Sequence, residues 1–256
     1  MKRSIIVLGV ACGLIAGGSA AAKEWKVIRI ATEGAYKPFN YFDANKNLIG
    51  LDIDLANALC AKMAAKCLIV AQDWDGLIPG LQAKKYDAIV ASMSITPERK
   101  KVVDFTDKYY SAPFAFVTKK NGAVTDVAPA ALAGKTIGAQ GGTVMSRFVE
   151  EVYGKVAKPK FYRTQDEANL DLQAGRLDLV LGEKFPLYDW LQGDGKGFDF
   201  VGKDIADPKY TGEGIGIVVR KEDKDLRAQL NKALKELRAD GGYDKITAKY
   251  FPFKID

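Results

Sequence analysis

The stretch at residues 86–99, YDAIVASMSITPER, carries the change of pattern on which the fold turns. An apolar run gives way to small hydroxyl residues and then to a helix start bearing an arginine. Residues 88–91 have the continuous apolarity of a strand covered on both faces. Ser92, Ser94 and Thr96 follow with hydroxyls and free backbone N–H groups, Pro97 suits the first turn of a helix, and Arg99 falls within one turn of it. Backbone donors at a helix start and a guanidinium fork favour the same partner, a planar anion. A capped helix with a solvated arginine fits these residues equally well.

The same alternation recurs along the chain. Strand-like residues 27–31, 67–72 and 88–91 are separated by helix-like residues 54–65 and 74–84, the signature of βαβ units. A second series follows an extended stretch at 114–118, with strands at 135–139, 160–162 and 177–181 and helices at 143–153 and 165–174. A last extended run at 214–220 leads into a helix at 225–239, where Leu226, Leu230, Leu234 and Leu237 keep helical spacing until Gly241 and Gly242 break it. The chain is long enough for one large domain or two small ones, and the two series favour two. In open α/β sheets ligands sit beyond the carboxyl ends of the strands. Four polar groups occur there: Glu33 with Tyr36, the segment from Ser92 to Arg99, residues 140–143, and Glu183. Two belong to each series, so a ligand is expected between two lobes.

The amino terminus reads as a secretory leader over residues 1–22, with a basic start at Lys2 and Arg3, an apolar stretch at 5–16 and three alanines at 20–22. That stretch falls short of the ~20 residues of a spanning helix, and no later segment approaches it, so direct membrane insertion is not expected. Cys12 lacks the preceding leucine of a lipid-attachment box. Of the formal net charge of +6, Lys2 and Arg3 account for two, leaving +4. The remaining lysines are scattered, which argues against nucleic acid as a partner. No histidine occurs in the chain, so the commonest general base and metal ligand is missing and neither a hydrolytic triad nor a His-based metal site is expected. Cys60 and Cys67 are placed by the leader in an oxidising compartment, where a local disulfide is expected, although their spacing alone also fits two reduced thiols.

Several features have plainer readings. Trp74 shares helical spacing with Leu77, Ile78 and Leu81, which suits a core residue. Asp54 reads as a helix cap ahead of the apolar face Ile53, Ala56, Cys60 and Met63. The glycines within 138–142 lack the lysine of a P-loop and do not complete G-x-G-x-x-G.

The segments IRIATEGAYKPFNY, GLDIDLANALCAKM, WDGLIPGLQAKKYDAIVASMSITPER, GKTIGAQGGT, AGRLDLVLGE and DGGYDKITAKYFPF, in this order, resemble the extracytoplasmic binding proteins for lysine, arginine, ornithine and histidine that serve ABC importers, the bacterial extracellular solute-binding proteins of family 3. The resemblance spans essentially the whole chain after the leader. It implies an α/β, two-lobed periplasmic binding protein fold of type II. Each lobe would be a mainly parallel sheet flanked by helices, with a two-strand hinge between them, residues 23–112 and 213–256 making lobe I and residues 113–212 lobe II.

The resemblance also implies roles. Arg99 would pair with a ligand α-carboxylate, helped by the Ser94 backbone and by Thr143. Ser92 and Ser94 would accept from the α-ammonium, with Glu183 as its counter-charge. Tyr36 and Trp74 would sandwich the side chain, and Glu33, near the Ala91 carbonyl, would neutralise its distal cation. Gln140 and Met145 would line the second lobe's wall, where the family has an apolar and a polar residue respectively. Glu33 and Glu183 stand where aspartates are usual, so each reaches roughly one methylene further. The implied ligand is a cationic amino acid, arginine before lysine, ornithine and histidine, held by a periplasmic monomer that meets a membrane permease and uses no cofactor. The ATEG start also resembles opine binders, and cyclohexadienyl dehydratases share the fold, so an arginine-derived opine and an enzyme are the alternatives.

Overall fold

Apolar strands followed by amphipathic helices build two separate five-stranded sheets in the computed structural model, which describes residues 25–255. The leader expected at residues 1–22 lies outside the described residues. The chain opens with strand β1 (Val27–Thr32), a small antiparallel meander of β2 (Ala35–Tyr36), β3 (Asn40–Phe42) and β4 (Leu48–Ile49), and helix α1 (Leu51–Lys62). There follow β5 (Lys66–Ala71), a single 3-10 turn at Trp74–Gly76 leading into α2 (Leu77–Gln82), β6 (Ala88–Ile89), the short α3 (Pro97–Lys100) and β7 (Asp104–Tyr110). The second lobe contains β8 (Phe114–Lys119), β9 (Thr136–Gln140), α4 (Val144–Tyr153), β10 (Lys158–Tyr162) and α5 (Gln165–Gln173). It continues with β11 (Leu179–Glu183), α6 (Lys184–Gln192), β12 (Phe198–Ile205) and α7 (Pro208–Thr211). The chain then returns to the first lobe as β13 (Ile215–Val219), α8 (Lys224–Ala239) and α9 (Gly242–Thr247).

Strand order is β5-β1-β6-β13-β7 in the first sheet and β10-β9-β11-β8-β12 in the second. In each, the strands of the βαβ units pair in parallel, as the alternating pattern requires. The strands that cross between lobes, β8 and β13, run antiparallel to both of their neighbours. Each sheet is therefore mixed, because a strand arriving from the other lobe enters at the end where the local strands finish.

Helices cover both faces of each sheet, which is why β6, β11 and β13 are buried along their whole length. On α8, Leu226, Leu230, Leu234 and Leu237 are all buried, each contributing roughly 2 kcal/mol relative to exposure. Cys60 and Cys67 form a disulfide that ties the end of α1 to the start of β5. The position expected to be capped by Asp54 is occupied instead by Gly50, at φ +125°, where an added Cβ would lie 2.3 Å from the Phe39 carbonyl oxygen. Asp54 sits one turn inside α1 and accepts from Lys249 Nζ (2.8 Å) and Tyr250 Oη (3.1 Å), fastening the C-terminal segment. No helix among the described residues is long and apolar enough to cross a membrane.

Candidate functional site

The carboxyl ends of β1 and β6 face those of β9 and β11 across the cleft between the lobes. There the structure brings every residue of the expected set into one cavity of about 290 Å³, with Val144 added to the lining. Trp74 serves two purposes: it packs against the apolar cluster beneath β6 and also lines this cavity.

The two readings of residues 86–99 prove compatible. Thr96 caps α3, its hydroxyl accepting from the Arg99 N–H at 3.2 Å. The Arg99 side chain turns into the cleft, donates from Nη1 to the Ser94 carbonyl (2.9 Å) and lies 5.3 Å from the Trp74 ring centre. It forms no ion pair among the described residues. Burial and the nearby Arg147 lower its pKa to about 10.

Ser92 stands in the left-handed region at φ +50°, unusual for a residue with a Cβ. Three contacts hold it. Its N–H donates to Tyr109 Oη (3.1 Å), its hydroxyl donates to Asp52 Oδ2 (3.1 Å), and Tyr109 Oη donates to Asp52 Oδ1 (2.7 Å). Asn40 completes the set by donating to Asp52 Oδ2 (2.8 Å). Asp52 is thus a buried carboxyl that fixes the turn at the cleft floor, and burial pushes its pKa up to about 6.

Two further carboxyls face Arg99's side of the molecule. Glu183, at the end of β11, is 2% exposed and accepts from Tyr110 Oη at 2.9 Å. Burial raises its pKa to about 8, with Asp52 adding repulsion. Glu33, just past β1, is buried and accepts from Gln140 Nε2 at 2.5 Å. Burial again dominates and lifts it to about 7, with repulsion from Asp166, Asp73 and Asp75. A carboxyl buried without a full set of donors favours the proton; a cation beside it reverses that preference.

On the second lobe, Thr143 caps α4 in a reciprocal arrangement with Ser146: its hydroxyl accepts from Ser146 N–H (3.1 Å) while Ser146 Oγ accepts from Thr143 N–H (3.2 Å). The Thr143 hydroxyl donates to the Gln140 carbonyl (2.7 Å), so both of its functions are engaged within the protein. Val144 and Met145 begin the helix, where N–H groups have no intrahelical acceptor. Gly142, at φ +65°, lets the lobes approach, since a Cβ there would lie 2.7 Å from Asp75 Oδ1; its carbonyl accepts from Trp74 Nε1 at 3.1 Å.

Asp52, Asn40, Tyr109, Tyr110 and Val144 join the site beyond the expected residues. For Asp52 a signal existed: it shares the helical stripe of Leu55, Ala56 and Leu59, all buried, so a charge there needed partners. The two tyrosines carry no such mark, because their partners are remote in sequence. Among the described residues no group of three or more His, Cys, Asp or Glu is arranged to hold a metal ion.

Residues 28–253 match the family of bacterial extracellular solute-binding proteins, family 3. The chain is 43% identical to the L-arginine-binding protein of Pseudomonas aeruginosa, over 100% of this chain and 98% of that protein. It is 40% identical to the lysine/arginine/ornithine-binding periplasmic protein of Escherichia coli, over 100% of this chain and 99% of the relative. Among solved structures, a periplasmic binding protein of Salmonella typhimurium described for its high arginine specificity superposes with a TM-score of 0.82 at 34% identity, covering 88% of this chain and 99% of that one. Sheet topology, interlobe cavity and sequence agree: the chain belongs to the bacterial extracellular solute-binding proteins of family 3.

Proposed function

We propose that this protein is the extracytoplasmic binding component of an ABC importer, capturing a cationic amino acid, arginine before lysine, ornithine or histidine. One observation carries this reading: two buried carboxyls, Glu33 and Glu183, line one interlobe cavity together with one arginine, Arg99. A ligand with two cations and one anion balances those charges, as buried charge requires. Arg99 takes the α-carboxylate, Glu183 and the Ser92–Ser94 turn take the α-ammonium, and Glu33 takes the distal cation between the rings of Tyr36 and Trp74. A flat guanidinium suits those rings and the carboxyl better than a compact ammonium.

The mechanism is closure of the lobes on a ligand first held by one of them, a shift in a pre-existing equilibrium. The lobe limits at 112/113 and 212/213 put the hinge in two short crossings, between β7 and β8 and between α7 and β13. Micromolar affinity needs about 8 kcal/mol, and charge-assisted hydrogen bonds contribute ~1.5–3 kcal/mol each, so these contacts suffice without a cofactor. The expected partner is a membrane permease that reads the closed form of a monomer exported to the periplasm by the leader at residues 1–22.

Glu33 would repel the second carboxylate of a dehydratase substrate such as prephenate, and the relatives at 43% and 40% identity are named as binding proteins. Calorimetry on refolded, ligand-stripped protein with arginine, lysine, ornithine, histidine and opines tests the proposal. Absence of binding to all of them overturns it, and release of phenylpyruvate from prephenate would establish the enzyme instead.

A further inference from the structure

Arg99 has a second guanidinium for a neighbour. Arg99, Thr143 and Val144 line the amino-acid cleft and also an adjoining cavity, whose other charged lining residues are Glu98, Arg147 and Glu150. Glu98 and Arg99 are consecutive on α3 in the first lobe, and Arg147 stands one turn into α4 in the second. Arg147 Nη1 lies 3.1 Å from Glu98 Oε2, an ion pair between the lobes, while its Nη2 donates to the Lys209 carbonyl at 3.1 Å within the second lobe. Glu150 pairs with no cation among the described residues.

These charges act on closure in opposite senses. Bringing α4 against α3 gains the attraction of Arg147 for Glu98, but it also moves Arg147 and the positive end of the ten-residue α4 toward Arg99. The Glu98 and Arg147 side chains are 58% and 32% exposed, so solvent screens their attraction. The repulsion acts on a guanidinium turned into the cleft, where screening is weaker. After burial, Arg147 is the neighbour that weighs most on the Arg99 pKa, ahead of Glu183 and Glu98. A carboxylate seated on Arg99 reverses the balance: it cancels the charge that repels Arg147 and attracts both Arg147 and the start of α4.

We infer that Arg147 is a positioning residue that makes closure of the lobes conditional on the ligand's carboxylate, opposing the approach of α4 while Arg99 is unoccupied and favouring it once a carboxylate is there. The role depends on Arg99 anchoring the α-carboxylate as proposed above. Arg147 thereby acts on the closed state differently for two classes of ligand, which is what a shift in an equilibrium requires. The class rejected has the cations of a basic amino acid and no free carboxylate: its amides, esters and decarboxylated amines. Such rejection comes from a repulsive element as well as from the lost contact to Arg99. Glu98 limits the repulsion, so the two neighbours of the anchor, Glu98 and Arg147, tune selectivity in opposite directions.

Calorimetry on the intact mature protein at one pH and low ionic strength tests this with L-arginine and L-argininamide, which replaces the carboxylate by a neutral amide. Argininamide is measured by displacement of arginine, and the quantity read is the ratio of the two affinities. Arg147→Gln should weaken arginine by about threefold, the scale of a partly exposed charge contact, and leave argininamide unchanged or tighter, so the preference for arginine falls. Glu98→Gln should raise that preference by about threefold, because Arg147 then faces Arg99 with less to offset it. Arg147→Lys keeps the charge and should stay within about twofold of the wild-type ratio. Any other pattern overturns the inference, equal weakening of both ligands in the two glutamine variants being the mark of a plain latch between the lobes. Arginine that binds while the ratios stay fixed removes this inference alone; arginine that fails to bind the wild-type protein removes the proposed function and this inference with it.

Discussion

The two lobes meet along two seams of opposite character. One is polar and surrounds the cleft: Glu33 with Gln140, Glu183 with Tyr110, Trp74 with Gly142, and at the rim Arg147 with Glu98 (3.1 Å) and Arg163 with Asp73 (3.4 Å). The other is aromatic and lies where the C-terminal segment of the first lobe touches α6. Phe185 stands 5.6 Å from Phe251 and 5.7 Å from Phe253, and Tyr188 lies 5.2 Å from Phe253. Tyr110 joins the two, donating to Glu183 and lying 6.2 Å from Phe185. Ring contacts are indifferent to pH and to the charge of a ligand, contributing ~0.5–1.5 kcal/mol per pair beyond their burial. The polar seam depends on both. On the proposed function, selectivity is expected of the polar seam and the ease of lobe closure of the aromatic one.

The largest effect expected of this division is from Arg99→Ala. Truncating one member of a buried charge pair costs ~2–5 kcal/mol, so binding of arginine, lysine, ornithine and histidine should weaken together by about 100-fold or more in calorimetry. Retained arginine affinity would remove the α-carboxylate role. Glu33→Gln should be next and selective: arginine and lysine weaken by roughly 10- to 100-fold, whereas amino acids with neutral side chains do not. An unchanged arginine affinity would show that Glu33 does not face the distal cation.

The pH response sharpens the contrast. Burial holds Glu183 near 8, Glu33 near 7 and Asp52 near 6, each above its ordinary value. From about pH 4.5 to 8 the folded, ligand-free protein then binds more protons than the unfolded chain, so its stability falls as pH rises through that window. Its Tm should be higher near pH 5 than near pH 8.5. On the proposed roles of Glu33 and Glu183, arginine affinity should rise over the same window and its binding should release protons, read as different heats in buffers of different ionisation enthalpy. A Tm that climbs from pH 5 to 8.5 without ligand would contradict the buried-carboxyl account.

The smallest expected effect is on the aromatic seam. Phe253→Ala should weaken every ligand by about fivefold, a loss of two exposed ring contacts, to Phe185 and Tyr188, at ~0.5 kcal/mol each, with selectivity and pH profile unchanged. A changed ratio of arginine to lysine affinity would show that the seams are not separable.

Much of the site was legible in the residues because an α/β sheet gathers strand ends, so polar groups just after apolar runs fall on one edge whatever the intervening sequence. Glu33, Ser92, Gln140 and Glu183 follow that rule, and Arg99 and Thr143 add helix starts with recognisable caps. Gly50 replaced Asp54 as the cap of α1 because the approach of Phe39's carbonyl leaves no room for a side chain, a contact between segments that no local pattern carries. Asp52 and the two tyrosines escaped for a related reason: the hydrogen bonds linking Asp52 with Ser92 and Tyr109, and Tyr110 with Glu183, close over 40, 57 and 73 residues.

Local pattern and residue type are enough for the α/β alternation, the two series of strands, the exclusion of histidine chemistry and the set of polar residues at strand ends. These depend on periodicity and residue type within short windows. Which carboxyls are buried and so keep their protons to higher pH without a cation, how the crossing strands make each sheet mixed, and that the lobes meet along one polar and one aromatic seam all follow from the packed fold alone. Burial and pairing across the cleft are properties of surfaces brought together from distant parts of the chain, and the electrostatics of the site exist only once water has been excluded between them.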